Sequence, residues 1–226
     1  MATLEFQDQK LYQLRQIGLA VTAVGGFIDA YTFMQRGGVL AAGQTGNIIF
    51  LSVDLTQHDL PGALVKITAL LFFALGVALV TLFKHHHFTH YWRILILILE
   101  MFVCVIIGFL PHSMSNLLVV PPLSLVMAMQ TTAYSEIDKQ GYNNVFSTGN
   151  LKKATIALTE FANSHDRHQG RVALMYFAIV GSFAGGAIVS AFLQEWLGIR
   201  TIWVIAGALL LIIGYYAHLL HHKYGI

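Results

Sequence analysis

Charge is what this chain has least of. Of its 226 residues 11% are Asp, Glu, Lys or Arg, against 56% hydrophobic, and the mean hydropathy is +0.66. A soluble globular chain carries about 25% charged residues. Composition therefore excludes an ordinary soluble domain and leaves one membrane domain, residues 1–226, and little else. Cysteine is almost missing as well: Cys104, in an apolar segment, cannot form an internal disulfide and says nothing about redox compartment. The net charge is +2 with no long basic run and no RNA-binding signature, so no nucleic-acid partner is expected. Neither His-Glu-x-x-His nor Gly-x-Ser-x-Gly occurs, and no nucleotide motif is present. Nothing points to hydrolysis, and neither an enzyme activity nor a cofactor is expected.

What is present is a repeat. Thr-Gly-Asn occurs at Thr45-Gly46-Asn47 and again at Thr148-Gly149-Asn150, an offset of 103 (148 − 45). Phe72 and Gly76 match Phe177 and Gly181 at an offset of 105 (177 − 72). Val105 to Gly108 matches Leu211 to Gly214 at 106 (211 − 105). One unit of about a hundred residues is used twice, which is how many membrane transporters are built.

Six stretches are long and apolar enough to span a bilayer: Ile17 to Gln35, Leu64 to Phe83, Ile94 to Leu110, Leu117 to Ala133, Val172 to Leu193 and Ile202 to Leu219. Repeat one is then 17–110 and repeat two 117–219. A cleavable signal peptide competes for the first stretch, with Ala41-Ala42-Gly43 as its cleavage site, but cleavage there would strip repeat one of its first helix. With the N-terminus inside, ten Lys or Arg fall on inner segments and Arg36, Lys66 and Arg200 on outer ones. That bias predicts both termini in the cytoplasm. Three spans per unit is an odd number, so the expected fold is all-α, six transmembrane helices forming an inverted 3+3 repeat. This topology supports alternating access.

The Thr-Gly-Asn segments lie between spans. After Asn47 the apolar run Ile48 to Leu51 is too short to cross and reads as a short re-entrant or interfacial helix. Thr45 or Asn47 is expected to cap it, Gly46 to let backbone approach, and its free N–H groups to attract an anion or polar group. The competing reading is a packing motif, with Gly for helix contact and Thr and Asn for interhelical hydrogen bonds. The second copy, Thr148, Gly149 and Asn150, leads into a more polar helix with Lys152, Lys153 and Glu160.

Polar groups inside spans are the remaining clue. Asp29 lies 16 residues before Thr45 and Thr132 lies 16 before Thr148, with Gln130 close by. A carboxylate within the membrane is costly unless paired, hydrated or protonated. Asp29 reads either as a proton or cation site or as a carboxylate tied into structure. Glu100 lies mid-span opposite a wholly apolar repeat mate near Ala206. His85-His86-His87 with His90, and His218 with His221-His222, suit a membrane interface better than a metal site, and no metal is expected. Gly76, Gly181, Gly185 and Gly186 read as helix-packing positions.

Gly26-x-x-Asp29, the doubled Thr-Gly-Asn and Met127-Ala128-Met129-Gln130 resemble the YoaK family of bacterial six-span membrane proteins, a domain of unknown function. Many relatives have Gly where Ala128 stands, a small-for-small change. The resemblance covers nearly the whole chain and implies a bacterial inner membrane, with no substrate attached. The inverted repeat, the polar groups within spans and the lack of a nucleotide motif make secondary transport of a small polar or anionic solute the expected function. Its pathway residues would be Asp29, Thr45, Gly46, Asn47, Glu100, Gln130, Thr132, Thr148, Gly149 and Asn150. A passive channel, or a membrane scaffold without transport, is the alternative. The lipid bilayer and a small-molecule or ion substrate are the expected partners, and six spans leave room for a homodimer.

Overall fold

The computed structural model describes residues 10–84 and 91–224. His85, His86, His87 and His90 lie outside the described residues. The chain is nearly all helix: α1 (Arg15–Gln35), α2 (Gln44–Thr56), α3 (Leu60–Lys84), α4 (Trp92–Phe109), α5 (Asn116–Ala133), α6 (Ser147–Ser164), α7 (Arg167–Leu197) and α8 (Ile202–Tyr224). A 3-10 turn, Leu11–Gln13, precedes α1. A two-stranded hairpin, β1 (Glu136–Ile137) and β2 (Gln140–Gly141), joins α5 to α6. Its two turn residues, Asp138 and Lys139, both have positive φ, 48° and 65°. Such a turn matches the twist of the two strands it connects.

Five segments are long and apolar enough to cross a membrane: α1, α3, α4, α5 and Arg167–Lys223. The last has 57 residues. At about 1.5 Å per residue it would reach roughly 85 Å as one helix, well beyond a hydrocarbon core of about 30 Å. It is broken instead by the 3-10 turn Gly198–Thr201 into α7 and α8, of 31 and 23 residues. Gly198 begins that turn at φ 53°, where a residue without a Cβ is favoured.

The helices are not equally enclosed. In α1 67% and in α5 61% of the apolar window is buried, against 28% in α3 and 39% in α4. So α1 and α5, each the first helix of its unit, form the centre, and the others carry exposed Leu, Ile and Phe outward. A surface this apolar is suited to lipid.

Packing partners repeat as well. α1 packs on α7 as α5 packs on α3; α2 packs on α3 as α6 packs on α7; α4 packs on α5 as α8 packs on α1; and α4 packs on α8. Exchanging the two units leaves this pattern unchanged. Helix directions follow from paired residues. Ser182 Oγ donates to Leu19 O at 2.7 Å, and Ala23 meets Gly186, so α1 and α7 run parallel. Gly76 meets Leu125 and Ala128, and Lys84 Nζ donates to Thr132 O at 2.9 Å, so α3 and α5 run parallel. Arg93 Nε donates to Ala133 O at 3.0 Å and Gln130 reaches Glu100, so α4 and α5 are antiparallel. Trp203 Nε1 donates to Val105 O at 3.1 Å, while Tyr134 bridges Arg93 and Tyr216 at the other end, so α4 and α8 are antiparallel.

Glycine makes the tightest crossings. A Cβ on Gly26 would overlap the Phe183 carbonyl, and one on Gly186 the Ala23 carbonyl. Gly181 and Gly185, expected to pack in the same way, have open space beside them. Gly186 alone meets α1 because a helix crossing is one point of closest approach.

Candidate functional site

Two loops carry the repeated motif, and each is built on its asparagine. Residues 37–43 link α1 to α2. Leu40 N–H donates to Asn47 Oδ1 at 2.9 Å and Asn47 Nδ2 donates back to Leu40 O at 2.7 Å. In the second unit Asn143 N–H donates to Asn150 Oδ1 at 3.3 Å and Asn150 Nδ2 to Asn143 O at 2.5 Å. In both, a buried amide clamps the backbone seven residues earlier. A side-chain amide puts its acceptor oxygen and donor nitrogen side by side, as such a clamp needs. Thr45 and Thr148 stand exposed at the same helical position.

The expected capping role is therefore corrected. The helices begin at Gln44 and Ser147, the cap residues are Gly43 and Phe146, and no side chain caps either start. Asn47 and Asn150 act one turn inside, on the loop. The glycines differ as well. A Cβ on Gly46 would press on the flexible Leu40 side chain, while nothing lies within 4 Å of one on Gly149. Close backbone approach does not account for Gly149.

Asp29 is a loop anchor. Ala42 N–H donates to its Oδ1 at 2.8 Å, and a Cβ on Gly43 would lie 3.2 Å from its Oδ2. Thr32 Oγ1 accepts from Ala41 N–H at 3.1 Å and donates to the Asp29 carbonyl at 3.2 Å. Both side chains are buried. The arithmetic mate Thr132 donates only to Ala128 O of its own helix, at 2.7 Å. The anchoring task in the second unit falls to Asn143, whose Oδ1 accepts from Val145 N–H at 2.9 Å and Phe146 N–H at 3.0 Å. So the two loops are held by side chains from different places, one from the preceding span and one from the loop itself.

A second buried group breaks the repeat. Glu100 is 0% exposed, and Gln130 Nε2 donates to both of its oxygens, at 3.0 and 2.9 Å. Gln130 Oε1 accepts from Asn144 Nδ2 at 2.9 Å. Glu100, Gln130 and Asn144 thus form one chain from the middle of α4 to the loop before α6. Among the described residues neither Glu100 nor Asp29 has an ion-pair partner. The buried Asn144 Oδ1 and Ser124 Oγ have no hydrogen-bond partner among the described residues.

At the other end of the bundle stand Arg36 and Lys66, two of the three charges expected on outer segments. Arg36 is the largest fully buried side chain. Its Nη2 reaches Tyr31 Oη at 3.4 Å, while Nε and Nη1 have no partner among the described residues. Lys66 is buried inside α3 and pairs with Asp54 of α2 at 2.5 Å. The signal for Lys66 was available, since it lies two residues into an apolar stretch and Asp54 precedes it by twelve. For Arg36 the flanking Gly37-Gly38 masked it, because a charge at a span end ordinarily reaches water.

At the Arg15 end, Tyr142 closes the loop beneath α1: its hydroxyl donates to Gly18 O at 3.4 Å, and burial pushes that hydroxyl's pKa above its ordinary 10.0. Glu136 of the hairpin accepts from Tyr12 Oη at 3.2 Å and from Gln13, and Arg15 pairs with Asp138. The hairpin is tied to the start of α1.

No curated protein and no solved structure matches this chain. A family described as "Protein of unknown function (DUF1275)" matches residues 17–215, which takes in both Thr-Gly-Asn loops, Asp29, Glu100 and Arg36. The chain belongs to that family, and its apolar helices make it a membrane protein.

Proposed function

We propose that the protein is a secondary transporter of a small polar or anionic solute, built as an inverted 3+3 repeat of six spans. The observation that carries this reading is the exchange symmetry of the packing combined with the helix directions. α1, α4 and α7 start at the Arg15 end, whereas α3, α5 and α8 finish there. Each helix of the first unit then runs opposite to its counterpart in the second. In such a design one sequence plan forms both halves of a pathway. By this reading α7 and α8 cross separately, and α2 and α6 lie at opposite membrane faces. The excess of Lys and Arg at the Arg15 end favours that end as cytoplasmic, in a bacterial inner membrane.

The residue roles change from the sequence expectation. Asp29 accepts from the Ala42 amide beside a buried Thr32 that accepts from Ala41, so we assign it to holding the 37–43 loop. Glu100 is the better coupling group: it is carboxylic, buried, without a counter-ion among the described residues, and linked through Gln130 to the loop of the other unit. An intramembrane ionisable group of this kind marks an ion or substrate path. Arg36, a buried cation with two unused nitrogens, supplies the charge that would select an anionic solute.

The test is a thermal-shift screen of the purified full chain against carboxylate, phosphate and sulfate metabolites, followed by uptake of any hit into proteoliposomes. The expected result is a hit whose shift is lost in Arg36→Gln, with uptake that responds to a pH gradient and loses that response in Glu100→Gln. Flux that ignores both the gradient and Glu100→Gln would make the protein a passive channel and end this proposal.

A further inference from the structure

At the Arg15 end the ends of α3 and α4 leave a cavity of 340 Å³ whose lining includes Tyr12, Lys84, Arg93 and Glu136. Phe83 and Trp92 also line it, and the same two residues open onto a second, apolar groove of 320 Å³. That groove runs down Val80, Leu95, Leu99 and Met129. A polar cavity and an apolar channel thus share a wall, and the polar part lies at the end of the spans, where a bilayer places its headgroups.

The two cations already have one task. Lys84 Nζ donates to Thr132 O and Arg93 Nε to Ala133 O, which satisfies the last carbonyls of α5. Each uses a single donor there. A lysine has three and an arginine five, and among the described residues no other hydrogen bond takes the remainder. The guanidinium of Arg93 is fixed in place by stacking, with Cζ 3.6 Å from the Tyr12 ring centre and 4.2 Å from that of Trp92. Two cations against one carboxylate, Glu136, leave the cavity net positive.

We propose that this is a binding site for one anionic phospholipid, with its phosphate between Lys84 and Arg93 and an acyl chain in the adjoining groove. The apolar groove on the other side of Phe83 and Trp92 selects a lipid over free phosphate, and the net charge selects an acidic headgroup over a zwitterionic one. Glu136 is placed to accept from a headgroup hydroxyl. The inference does not depend on transport: it would hold for a channel or a scaffold equally.

The test uses the purified full chain in detergent, melted with added phosphatidylglycerol, phosphatidylcholine or inorganic phosphate. Half-maximal stabilisation should need roughly tenfold less phosphatidylglycerol than phosphatidylcholine, and inorganic phosphate should give little shift. The double variant Lys84→Gln with Arg93→Gln should bring the two lipids together. Leu99→Trp, which fills the groove without touching the cations, should weaken phosphatidylglycerol while leaving the fold intact. The control Lys152→Gln with Lys153→Gln, on exposed positions of α6, should keep the preference. Equal stabilisation by both lipids, or an equal shift from inorganic phosphate, would overturn the proposal. So would loss of the preference in the α6 control, because general surface charge would then explain it.

Discussion

Asp29→Asn separates two accounts of the same carboxylate. If Asp29 were a coupling group with little structural duty, the amide would be a quiet replacement of equal size. The structure gives a different expectation. The carboxylate accepts from the Ala42 amide at 2.8 Å, with its Oδ2 against Gly43 of the same loop. An asparagine amide keeps one acceptor oxygen for the Ala42 N–H but without the charge, and its NH₂ must take the place of Oδ2 against Gly43. Hydrogen bonds to charged groups contribute about 1.5–3 kcal/mol each, and a buried donor left unpaired costs about 1–3 kcal/mol. One charge-assisted bond reduced to a neutral one, with an NH₂ misplaced beside it, comes to about 2 kcal/mol. For a chain of this size about 1 kcal/mol corresponds to roughly 2–4 °C of melting temperature, so a fall of roughly 4–8 °C is expected. Thr132→Val, at the mate position, loses only a bond within its own helix and should melt within about 2 °C of the parent. The assay is the apparent melting temperature of each purified variant in one detergent. Asp29→Asn melting as the parent does would refute the anchoring argument and return Asp29 to the coupling role.

Asn47→Ala and Asn150→Ala should each cost about 1–3 kcal/mol, measured as loss of melting temperature, because both amides make the same two-way clamp. A large effect at one and none at the other would separate the motifs. Gly26→Val and Gly186→Val should fail to accumulate folded protein by size-exclusion profile, since each new Cβ meets backbone, whereas Gly149→Val should fold normally. Glu100→Gln, whose NH₂ must face the Gln130 donor, should lose about 1 kcal/mol, while Gln130→Leu, which strips the buried carboxylate of its donor, should lose about 3 kcal/mol or more. The Tyr142 hydroxyl, raised above 10.0 by burial, keeps its proton in the folded state when the unfolded chain has lost it. Its stabilising contribution is full below pH 10 and falls as pH rises beyond it, by about 1.4 kcal/mol per pH unit. Tyr142→Phe should flatten that alkaline loss of melting temperature.

Much of the architecture was legible because membrane burial is a matter of run length, and the apolar stretches match the helices to within a few residues. The repeat was legible through Thr-Gly-Asn, since the clamp needs an asparagine at a fixed place. What the clamp holds was not legible, because its partner is backbone, which leaves no residue signature. Asp29 and Thr132 are equivalent by counting, yet only one anchors a loop. In the second unit Asn143 does that work from within the loop, and an arithmetic of spans cannot see a task passed to another residue. The chain of Glu100, Gln130 and Asn144 joins three segments distant in sequence and needed tertiary packing to appear. Arg36 was hidden for a related reason: nothing local distinguishes an arginine that ends a span in water from one folded back under a glycine turn.

The central claim is that the two units are inverted, and paired labelling of equivalent residues tests it directly. Ser52 of α2 and Thr155 of α6 are both exposed and differ by the repeat offset of 103 (155 − 52). In a Cys104→Ala background, Ser52→Cys and Thr155→Cys would be treated in sealed vesicles of known orientation with a membrane-impermeant maleimide. Labelling from opposite sides of the membrane is the predicted result; labelling of both from the same side would contradict the inverted repeat and the transport reading built on it.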